Sequence, residues 1–303
     1  MATSISTNNV IDASVEIKLD RLFVPVDFSP LSDRAVDYAR RIAARHNAEL
    51  LLAHCSTPVS PMAVPEAAWY HLEAAQNKEV QRLERLGTRL RNEGLNARTI
   101  SLNGLLQDEI PCCSQRQCSD LIVLGAEINS GVERLLFGCN AEVLLRQAGC
   151  PVLAIGPRTR PAPDWQWRLE GVVCATDLRP ESAPVAAFAW RLAKKYEARF
   201  GLLHVEKRIS KSASLDEPQA KFEKALATLL PEGGPPADTL QSLPASHNSC
   251  SAAIVEAARL RHADLVVMGA HATTHAATHL LRGTVAQVIA ESLCPVLVRN
   301  IPG

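Results

Sequence analysis

The sequence has no excess of either charge and no long apolar run. Its 303 residues include 32 basic and 32 acidic side chains, so the formal net charge is zero at pH 7. A neutral chain has no overall field that would gather nucleic acid or an anionic membrane surface. No stretch approaches the roughly 18 to 20 apolar residues that a membrane span requires. We therefore expect neither nucleic acid nor a membrane as a partner.

Signals for secretion, disulfide crosslinking and several enzyme classes are also missing. Residues 1–19 contain no cationic region followed by an apolar core, which predicts a polar arm and a cytoplasmic protein. The nine cysteines, an odd number, show no CxxC spacing, and we interpret them as reduced thiols. The motifs GxxxxGK[ST], GxSxG and HExxH are absent. P-loop, serine-hydrolase and zincin mechanisms therefore lack their signatures.

The chain does contain one large internal repeat. DLIVLGA at 120–126 returns as DLVVMGA at 264–270, and CPVLAI at 150–155 returns as CPVLVR at 294–299. Both pairs are offset by 144 residues. Earlier segments of the two copies are offset by 150 residues instead, so a few residues are gained or lost between elements. A period of this size predicts two copies of one domain rather than a solenoid.

Within each copy, short apolar runs alternate with helical patterns. RLFVPVD at 21–27 predicts a strand, and apolar residues then recur at helical spacing from Ser32 to Arg45. Strands that are buried on both faces and joined by helices favour parallel pairing with right-handed crossovers. We therefore expect two doubly wound α/β domains, at 20–157 and 169–303, joined by a proline-rich linker at 158–168.

Asp27 and Asp177 are candidate ligand contacts at the end of the first strand of each copy. In a doubly wound sheet, ligands bind outside the carboxyl ends of the strands, near the switch in strand order. A carboxylate there can accept from an exocyclic amine or a ribose hydroxyl. Glycines at the fourth strand and the last helix let backbone N–H groups approach phosphate. A structural alternative stays open, in which Asp27 caps the helix that begins near Ser29 and the glycines turn the chain.

At these residues the sequence resembles the universal stress protein family in its tandem two-domain form. The resemblance covers nearly the whole chain outside the arm and the linker. It rests on VPVDFSPLSDRAVDYA, LLLAHC and DLIVLGAEINSGVERLLFGCNAEVLLRQAGCPVLAI, with weaker counterparts in the second half. It implies Rossmann-like domains of the adenine nucleotide alpha hydrolase type, each a five-stranded parallel sheet. These domains would pair through their last strands as an internal pseudo-dimer.

The resemblance also implies an ATP site, since many members bind ATP through a first-strand Asp and a glycine motif, whereas others bind no nucleotide. The motif is Gly, two residues, Gly, nine residues, then Gly followed by Ser or Thr. In the first copy the candidate contacts are Pro25, Val26, Asp27, Gly125 and Gly138. In the second copy they are Ala175, Thr176, Asp177, Met268, Gly269, His271, Gly283, Thr284 and Val285.

Both glycine motifs depart from the family pattern. In the first copy Ile128 takes the place of the middle glycine, and the carboxylate of Glu127 would repel a phosphate. In the second copy Gly283 is followed by a threonine, as in the motif, but lies one residue too far from Gly269. We therefore expect the second copy to be the better binder, either of ATP with Mg²⁺ or of AMP.

The segment HATTHAATH at 271–279 falls in the expected phosphate loop of the second copy. His275 and His279 would lie one turn apart if this segment is helical, a spacing that suits Zn²⁺, and His271 would need a favourable loop to join them. Three interpretations stay open. The histidines are exposed loop residues without a ligand, lie near a bound anion, or form a metal site.

Together these features predict a stress-response regulatory or protective protein that binds an adenine nucleotide. Occupancy of the site would bias the conformation or the pairing of the two domains. A nucleotide-free scaffold that acts through the pseudo-dimer surface is an alternative, with or without the histidine metal site. A weak ATPase is a further alternative, although no base is placed to drive hydrolysis. An unknown protein partner and the association of two chains also stay open.

Overall fold

The computed structural model describes residues 17–56, 66–126, 144, 145, 147–162, 168–206, 240–244, 249–271 and 283–301. The first half contains β1 (Arg21–Pro25), α1 (Pro30–His46), β2 (Glu49–Ser56), α2 (Glu66–Asn92), β3 (Ala97–Asn103), α3 (Leu106–Arg116), β4 (Leu121–Gly125) and β5 (Val152–Ile155). The second half contains β6 (Gly171–Thr176), a 3-10 turn (Pro180–Ser182), α4 (Ala183–Lys195), β7 (Arg199–Glu206), β8 (Leu240–Pro244), α5 (Cys250–Leu260), β9 (Leu265–His271), α6 (Thr284–Glu291) and β10 (Val296–Ile301). Within these ranges, no helix combines the length and the apolar character needed to cross a membrane.

The strands form one sheet with the order β3-β2-β1-β4-β5-β10-β9-β6-β7-β8. Within each half every pair of neighbouring strands is parallel. The strand order reverses between β1 and β4 in the first half and between β6 and β9 in the second. These are the switch points at which doubly wound sheets bind ligands. The predicted pair of five-stranded parallel sheets is therefore confirmed.

The two halves meet through their last strands. β5 and β10 pair in antiparallel register, with Leu153 opposite Leu297. These two leucines occupy the same position of the repeat, so the contact is self-complementary, as in a twofold dimer. Both side chains are buried. The predicted internal pseudo-dimer is therefore confirmed, with one antiparallel pair at its centre.

Capping residues in the sequence determine where helix α1 begins and ends. Ser29 is the N-cap, and its side chain accepts a hydrogen bond from the backbone N–H of Ser32. Pro30 holds the first helical position, where its missing N–H costs nothing. Asn47 ends the helix in the left-handed conformation at φ 53°. The suggestion that Asp27 caps this helix is therefore wrong, because Ser29 supplies the capping oxygen.

Side chains from the strands pack against helices on both faces of the sheet. Along β2, Leu50 and Leu52 belong to the core cluster that contains α1, whereas Leu51 and Ala53 belong to the cluster on the opposite face. Successive strand residues point to opposite faces, so an apolar run without alternation fills both cores. The buried run AELLLAHC therefore forms a strand in the interior of the sheet.

The cysteines of α3 and of the turn that follows it separate into core and surface thiols. Cys113 is buried against the sheet, whereas Cys112 and Cys118 are exposed. Free cysteine packs as a small apolar residue, so a core position for one of the three is expected. Cys174 of β6 is more deeply buried, with none of its surface exposed.

The buried thiol of Cys174 predicts a loss of stability at alkaline pH. Burial raises the pKa of Cys174 from 9.0 to about 12. The folded state therefore keeps the thiol protonated at a pH where the unfolded chain loses the proton. The contribution of the buried thiol to the free energy of unfolding is complete below pH 9 and is lost as the pH rises toward 12. At pH 10 the loss is on the order of 1 kcal/mol for this group. Urea unfolding at pH 8 and pH 10 measures the loss of unfolding free energy. We expect a smaller loss in Cys174→Ala and an unchanged loss in the matched surface variant Cys118→Ala. Equal losses in wild type and Cys174→Ala would contradict the prediction.

Candidate functional site

A tight turn follows the first strand of the second half. β6 ends at Thr176, and Leu178 takes a left-handed conformation with φ 62°. The Asp177 side chain organises this turn, because its Oδ1 accepts from the backbone N–H of Arg179 at 3.1 Å and from the hydroxyl of Ser182 at 2.6 Å. The guanidinium of Arg179 lies 3.5 Å from Oδ2 of the same carboxylate. Asp177 therefore holds the turn and also places its carboxylate at the switch point.

The first half repeats this turn with a different serine contact. Phe28 has the same φ of 62°, and Asp27 Oδ1 accepts from the backbone N–H of Ser29 at 2.9 Å. Ser32, the counterpart of Ser182, accepts instead from the backbone N–H of Asp27 at 3.3 Å. The hydroxyl that fixes the Asp177 carboxylate therefore has no equivalent contact among the described hydrogen bonds of Asp27.

A histidine braces the strand end in both halves. His204 Nδ1 lies 2.9 Å from the carbonyl oxygen of Thr176, and His54 Nδ1 lies 2.7 Å from that of Val26. A carbonyl can only accept, so the Nδ1–H donates in both cases. The repeated contact links the second strand of each half to the residue before the aspartate. This hydrogen bond is not predicted by the sequence alone.

A cavity of about 230 Å³ opens beside this turn in the second half. We call it the strand-end cavity. Its lining comes from the ends of four strands and from the first turns of three helices. It is lined by Cys174, Ala175, Thr176, Asp177, Ser182, Val185, Ala186, Leu203, His204, Val205, Cys250, Ile254, Met268, Gly269, Thr284, Val285 and Ile301.

The structure brings most of the predicted second-copy positions together at this cavity. Seven of the nine line it, namely Ala175, Thr176, Asp177, Met268, Gly269, Thr284 and Val285. Gly283 lies directly before the lining residue Thr284 and is exposed. The backbone of His271 ends β9, and its side chain lies outside the described part of the structure.

The amino end of α6 forms one rim of the strand-end cavity. Gly283 is the N-cap, with φ −81° and ψ 170°, and no side-chain capping bond is found there among the described residues. A Cβ atom added to Gly283 would meet nothing within 4 Å. The first N–H groups of a helix have no partner within the helix, and together with the helix dipole they favour an anion. The rim therefore offers backbone donors in open space.

The corresponding glycines of the two halves have different neighbours. A Cβ atom at Gly125 would lie 2.6 Å from the backbone of Leu31 in α1. At Gly269 it would meet the Cδ1 atom of Ile301 at 2.4 Å and the Cγ2 atom of Val185 at 3.4 Å, both on side chains. Side-chain ends move more easily than a packed helix backbone. The backbone of α1 therefore bounds the space beside Gly125, whereas side chains bound the space beside Gly269.

The remaining first-copy candidates form only part of a site in the described structure. Pro25 ends β1 opposite Ala53 of β2, and Val26 donates its N–H to the carbonyl of the same Ala53. Gly138 lies outside the described residues, as do Glu127 and Ile128. The first-copy phosphate motif therefore remains a prediction.

Sequence reasoning missed several residues that shape the cavity. Ser182 holds Asp177, Cys250 begins α5, and Ile301 reaches the cavity from β10. Arg179 was missed as well, although it is the cation beside Asp177. The position of Ser182 five residues after the aspartate recurs as Ser32 after Asp27, so the repeat itself held a signal for this contact. Cys250 and Ile301 come together with the others only through the tertiary fold.

The predicted histidine loop lies mostly outside the described residues. His275 and His279 lie outside the described residues, together with the side chain of His271. Within the described part of the chain, no three side chains of the metal-ligating types cluster closely enough to hold an ion. The possible zinc site therefore remains a prediction from sequence.

Comparison with known proteins decides the family. The model of the universal stress protein family matches residues 18–156 and 170–299. The chain belongs to this family. Universal stress protein MJ0531 of Methanocaldococcus jannaschii is 30% identical over 138 residues, which cover 45% of this chain and 81% of that protein. Universal stress protein YxiE of Bacillus subtilis is 27% identical over 145 residues, which cover 45% of this chain and 98% of that protein.

A solved structure shares the fold over most of the chain. A universal stress protein from Archaeoglobus fulgidus aligns with a TM-score of 0.67 at 18% identity, covering 94% of this chain and 97% of that one. At this identity the likeness shows the fold alone. The two matched family segments confirm the tandem form of the universal stress protein, while the domain boundaries at 20–157, 158–168 and 169–303 stay a prediction.

The turn at Asp177 predicts a difference between two substitutions. Asp177→Ala removes the acceptor for Arg179 N–H and Ser182 Oγ–H, so it lowers the free energy of unfolding by about 1 kcal/mol. Asp177→Asn keeps an oxygen at this position and costs less. The matched variant Asp27→Ala loses a single backbone bond and also costs less. Urea unfolding compares the three, and an Asn variant as unstable as the Ala variant would argue against this role.

Proposed function

We propose that the second half of this universal stress protein binds an adenine nucleotide, ATP with Mg²⁺ or AMP, in the strand-end cavity. The observation that carries the proposal is the convergence of seven sequence-derived positions, in three segments of the chain, on one cavity. These positions come from the end of β6 and, about 90 residues later in the chain, from β9 and the start of α6. Such a cavity at a switch point is the usual location of a nucleotide site in this class of sheet.

The base and ribose would lie at the carboxyl end of β6. Thr176 Oγ1 accepts from the backbone N–H of Leu178 at 3.1 Å, so the hydroxyl proton of Thr176 can be donated to a ligand. Oδ2 of Asp177 can accept from a ribose hydroxyl or an exocyclic amine. Met268 and Leu203 contribute apolar walls against which a base can pack.

The phosphates would lie at the amino end of α6. The exposed N-cap Gly283 leaves the backbone N–H groups of the first turn accessible. Arg179, whose side chain is 67% exposed beside Asp177, can turn toward a phosphate without losing packing. The cavity volume of about 230 Å³ lies below the roughly 300–1,000 Å³ of sites that enclose a drug-sized ligand. The cavity would therefore enclose the base and ribose, with the phosphates outside along the helix rim.

The role that fits this placement is regulatory. Ile301 of β10 lines the strand-end cavity, and β10 pairs with β5 of the first half. A nucleotide in the cavity would therefore contact the strand that joins the two halves, and its binding energy could bias how they pair. We propose on this basis that the protein is a cytoplasmic stress-response regulator. Its protein partner would recognise the conformation of the junction between the two halves, either in a single chain or in an associated pair of chains.

Substitution at Gly283 tests the phosphate end of the proposal. Gly283→Asp places a carboxylate over the first turn of α6, where it takes up the helix N–H donors and repels phosphate by about 1–4 kcal/mol at a separation near 4 Å. We expect calorimetric titration with Mg²⁺ and ATP to give one site per chain in the wild type. We expect the affinity to fall by about tenfold in the variant.

Gly283→Ser is the matched control for this experiment. A serine caps the helix without adding charge, so we expect a smaller loss of ATP affinity than with aspartate. Glycine at an N-cap costs only a few tenths of a kcal/mol relative to these residues, so both variants keep the stability of the wild type. Absence of ATP and AMP binding in the wild type would contradict the proposal and favour the nucleotide-free scaffold.

A further inference from the structure

A second and larger cavity lies where the two halves meet, away from the strand-end cavity. We call it the junction cavity, and its volume is about 860 Å³. Its apolar lining comes from both halves and includes Leu121 and Leu153 together with their repeat counterparts Leu265 and Leu297. Leu153 and Leu297 face each other across the β5–β10 pair. The cavity therefore lies against the central strands of the sheet, close to the pseudo-twofold axis.

The pseudo-twofold axis relates this cavity to an equivalent position beside α1 in the first half. Phe188 and Arg191 of α4 line the junction cavity, and their counterparts in α1 are Tyr38 and Arg41. Next to Tyr38, a later segment of the same chain covers this equivalent position. The Tyr38 hydroxyl donates to the carbonyl of Arg160 at 2.8 Å, and nearby Thr159 is buried.

The chain segment 156–162 therefore fills the first of the two related places. Arg34 of α1 also donates to it, through a bond of 3.0 Å to the carbonyl of Pro157. Around the junction cavity, the described residues include no segment in the equivalent position. Residues 17–19 form one wall of the cavity, and the carbonyl of Ile17 accepts from Lys195 Nζ at 2.7 Å.

The polar side chains of the junction cavity differ from those of its filled counterpart. Arg299 and Asn300 line it, where the first half has Ile155 and Gly156. Arg299 is held with its Cζ atom 5.1 Å from the centre of the Phe188 ring, and it donates one hydrogen bond, of 3.2 Å, to the carbonyl of Pro184. A guanidinium carries five N–H donors, so this arrangement leaves donors for a ligand. Arg191 adds a second guanidinium to the same lining.

Two half-buried cations in an apolar cavity favour an anion between them. Burial, and then the nearby charge of Arg191, lower the pKa of Arg299, and an anion beside the guanidinium would oppose both effects. The acidic lining residue Asp120 is already engaged, because its Oδ2 accepts from the backbone N–H groups of Asp20 and Arg21, each at 2.9 Å. Lys18 adds a further positive charge at the wall.

Asn300 adds a buried acceptor to the same lining. Its Nδ2 donates to the carbonyl of Ala148 at 2.7 Å, which sets the orientation of the amide. Its Oδ1 atom is buried and has no hydrogen-bond partner among the described residues. A buried carbonyl without a partner costs free energy, so a hydroxyl or a water molecule carried with a ligand would be stabilised there.

We propose that the junction cavity binds a small amphiphilic anion, an apolar body that carries one carboxylate or phosphate group. The apolar body lies over the leucines near the axis, and the anionic group lies between Arg191 and Arg299. The volume falls within the roughly 300–1,000 Å³ usual for small-ligand sites, which occur preferentially at domain interfaces. This site is separate from the proposed nucleotide site and does not depend on it.

Calorimetric titration of the full chain with decanoate and with decyl phosphate tests the proposal, with decanol as the neutral probe of the same chain length. Protein refolded from denaturant, and so freed of carried-over ligand, is used throughout. We expect binding of at least one of the two anions, and a weaker response to decanol by about tenfold. The anion that binds more tightly identifies the head group. Equal binding of decanol would overturn the proposal, because the arginines would then contribute nothing.

Charge-removing variants locate the site. Arg299→Gln and Arg191→Gln are each expected to weaken anion binding by about tenfold. Arg41→Gln is the matched control, since it removes the repeat counterpart of Arg191 on the far side of the axis, and it should bind as the wild type does. Thermal unfolding identifies any variant that fails to fold, and the other arginine variant then carries the test. Equal loss in Arg41→Gln would overturn the proposal.

A variant lacking residues 1–16 separates ligand binding from coverage by the chain itself. The proposal predicts that this variant and the full chain bind the anion with similar affinity. Binding that appears only after the deletion would overturn the proposal, since the cavity would then not be a ligand site in the whole protein.

Discussion

The antiparallel pairing of β5 with β10 is the contact on which the rest of this structure depends. It joins two parallel five-stranded sheets into one sheet and leaves β3 and β8 at the edges. Because the pairing is antiparallel, the carboxyl ends of the strands point in opposite directions in the two halves. The two switch points therefore lie at opposite ends of the sheet.

The two halves keep the same framework but differ in the side chains around it. Each half has an aspartate turn with a left-handed residue and a histidine that braces the strand end. The differences appear where helices and loops approach the sheet. The backbone of α1 packs directly on Gly125, whereas Gly269 faces the side-chain ends of Ile301 and Val185. Duplication thus supplied one stable framework with two places at which ligand binding could be lost or kept.

The repeat and its periodicity predicted two doubly wound domains, whereas the five-stranded form and the pairing through the last strands were implied by the resemblance to the family. Apolar runs such as 48–55 became interior strands, and the recurrence of CPVLAI predicted that the last strands would occupy matching positions. The strand-end positions could also be selected, because the carboxyl ends of parallel strands always meet at one edge. The contact from Ser182 to Asp177 and the burial of Thr159 within the linker could not be predicted, since they depend on how the chain packs in three dimensions. The junction cavity lies in that category, because its character comes from Arg299 and Phe188, which are more than 100 residues apart.

The most direct test of the account compares two half-buried thiols at equivalent ends of the sheet. Cys250 lines the strand-end cavity of the second half, and Cys55 follows the bracing histidine of the first. The rate at which iodoacetamide modifies each cysteine can be followed by mass spectrometry, with and without Mg²⁺ and ATP. The account predicts that ATP slows modification of Cys250 while Cys55 and the exposed Cys112 react as before. Protection of Cys55 in place of Cys250, or no protection of either, would contradict it.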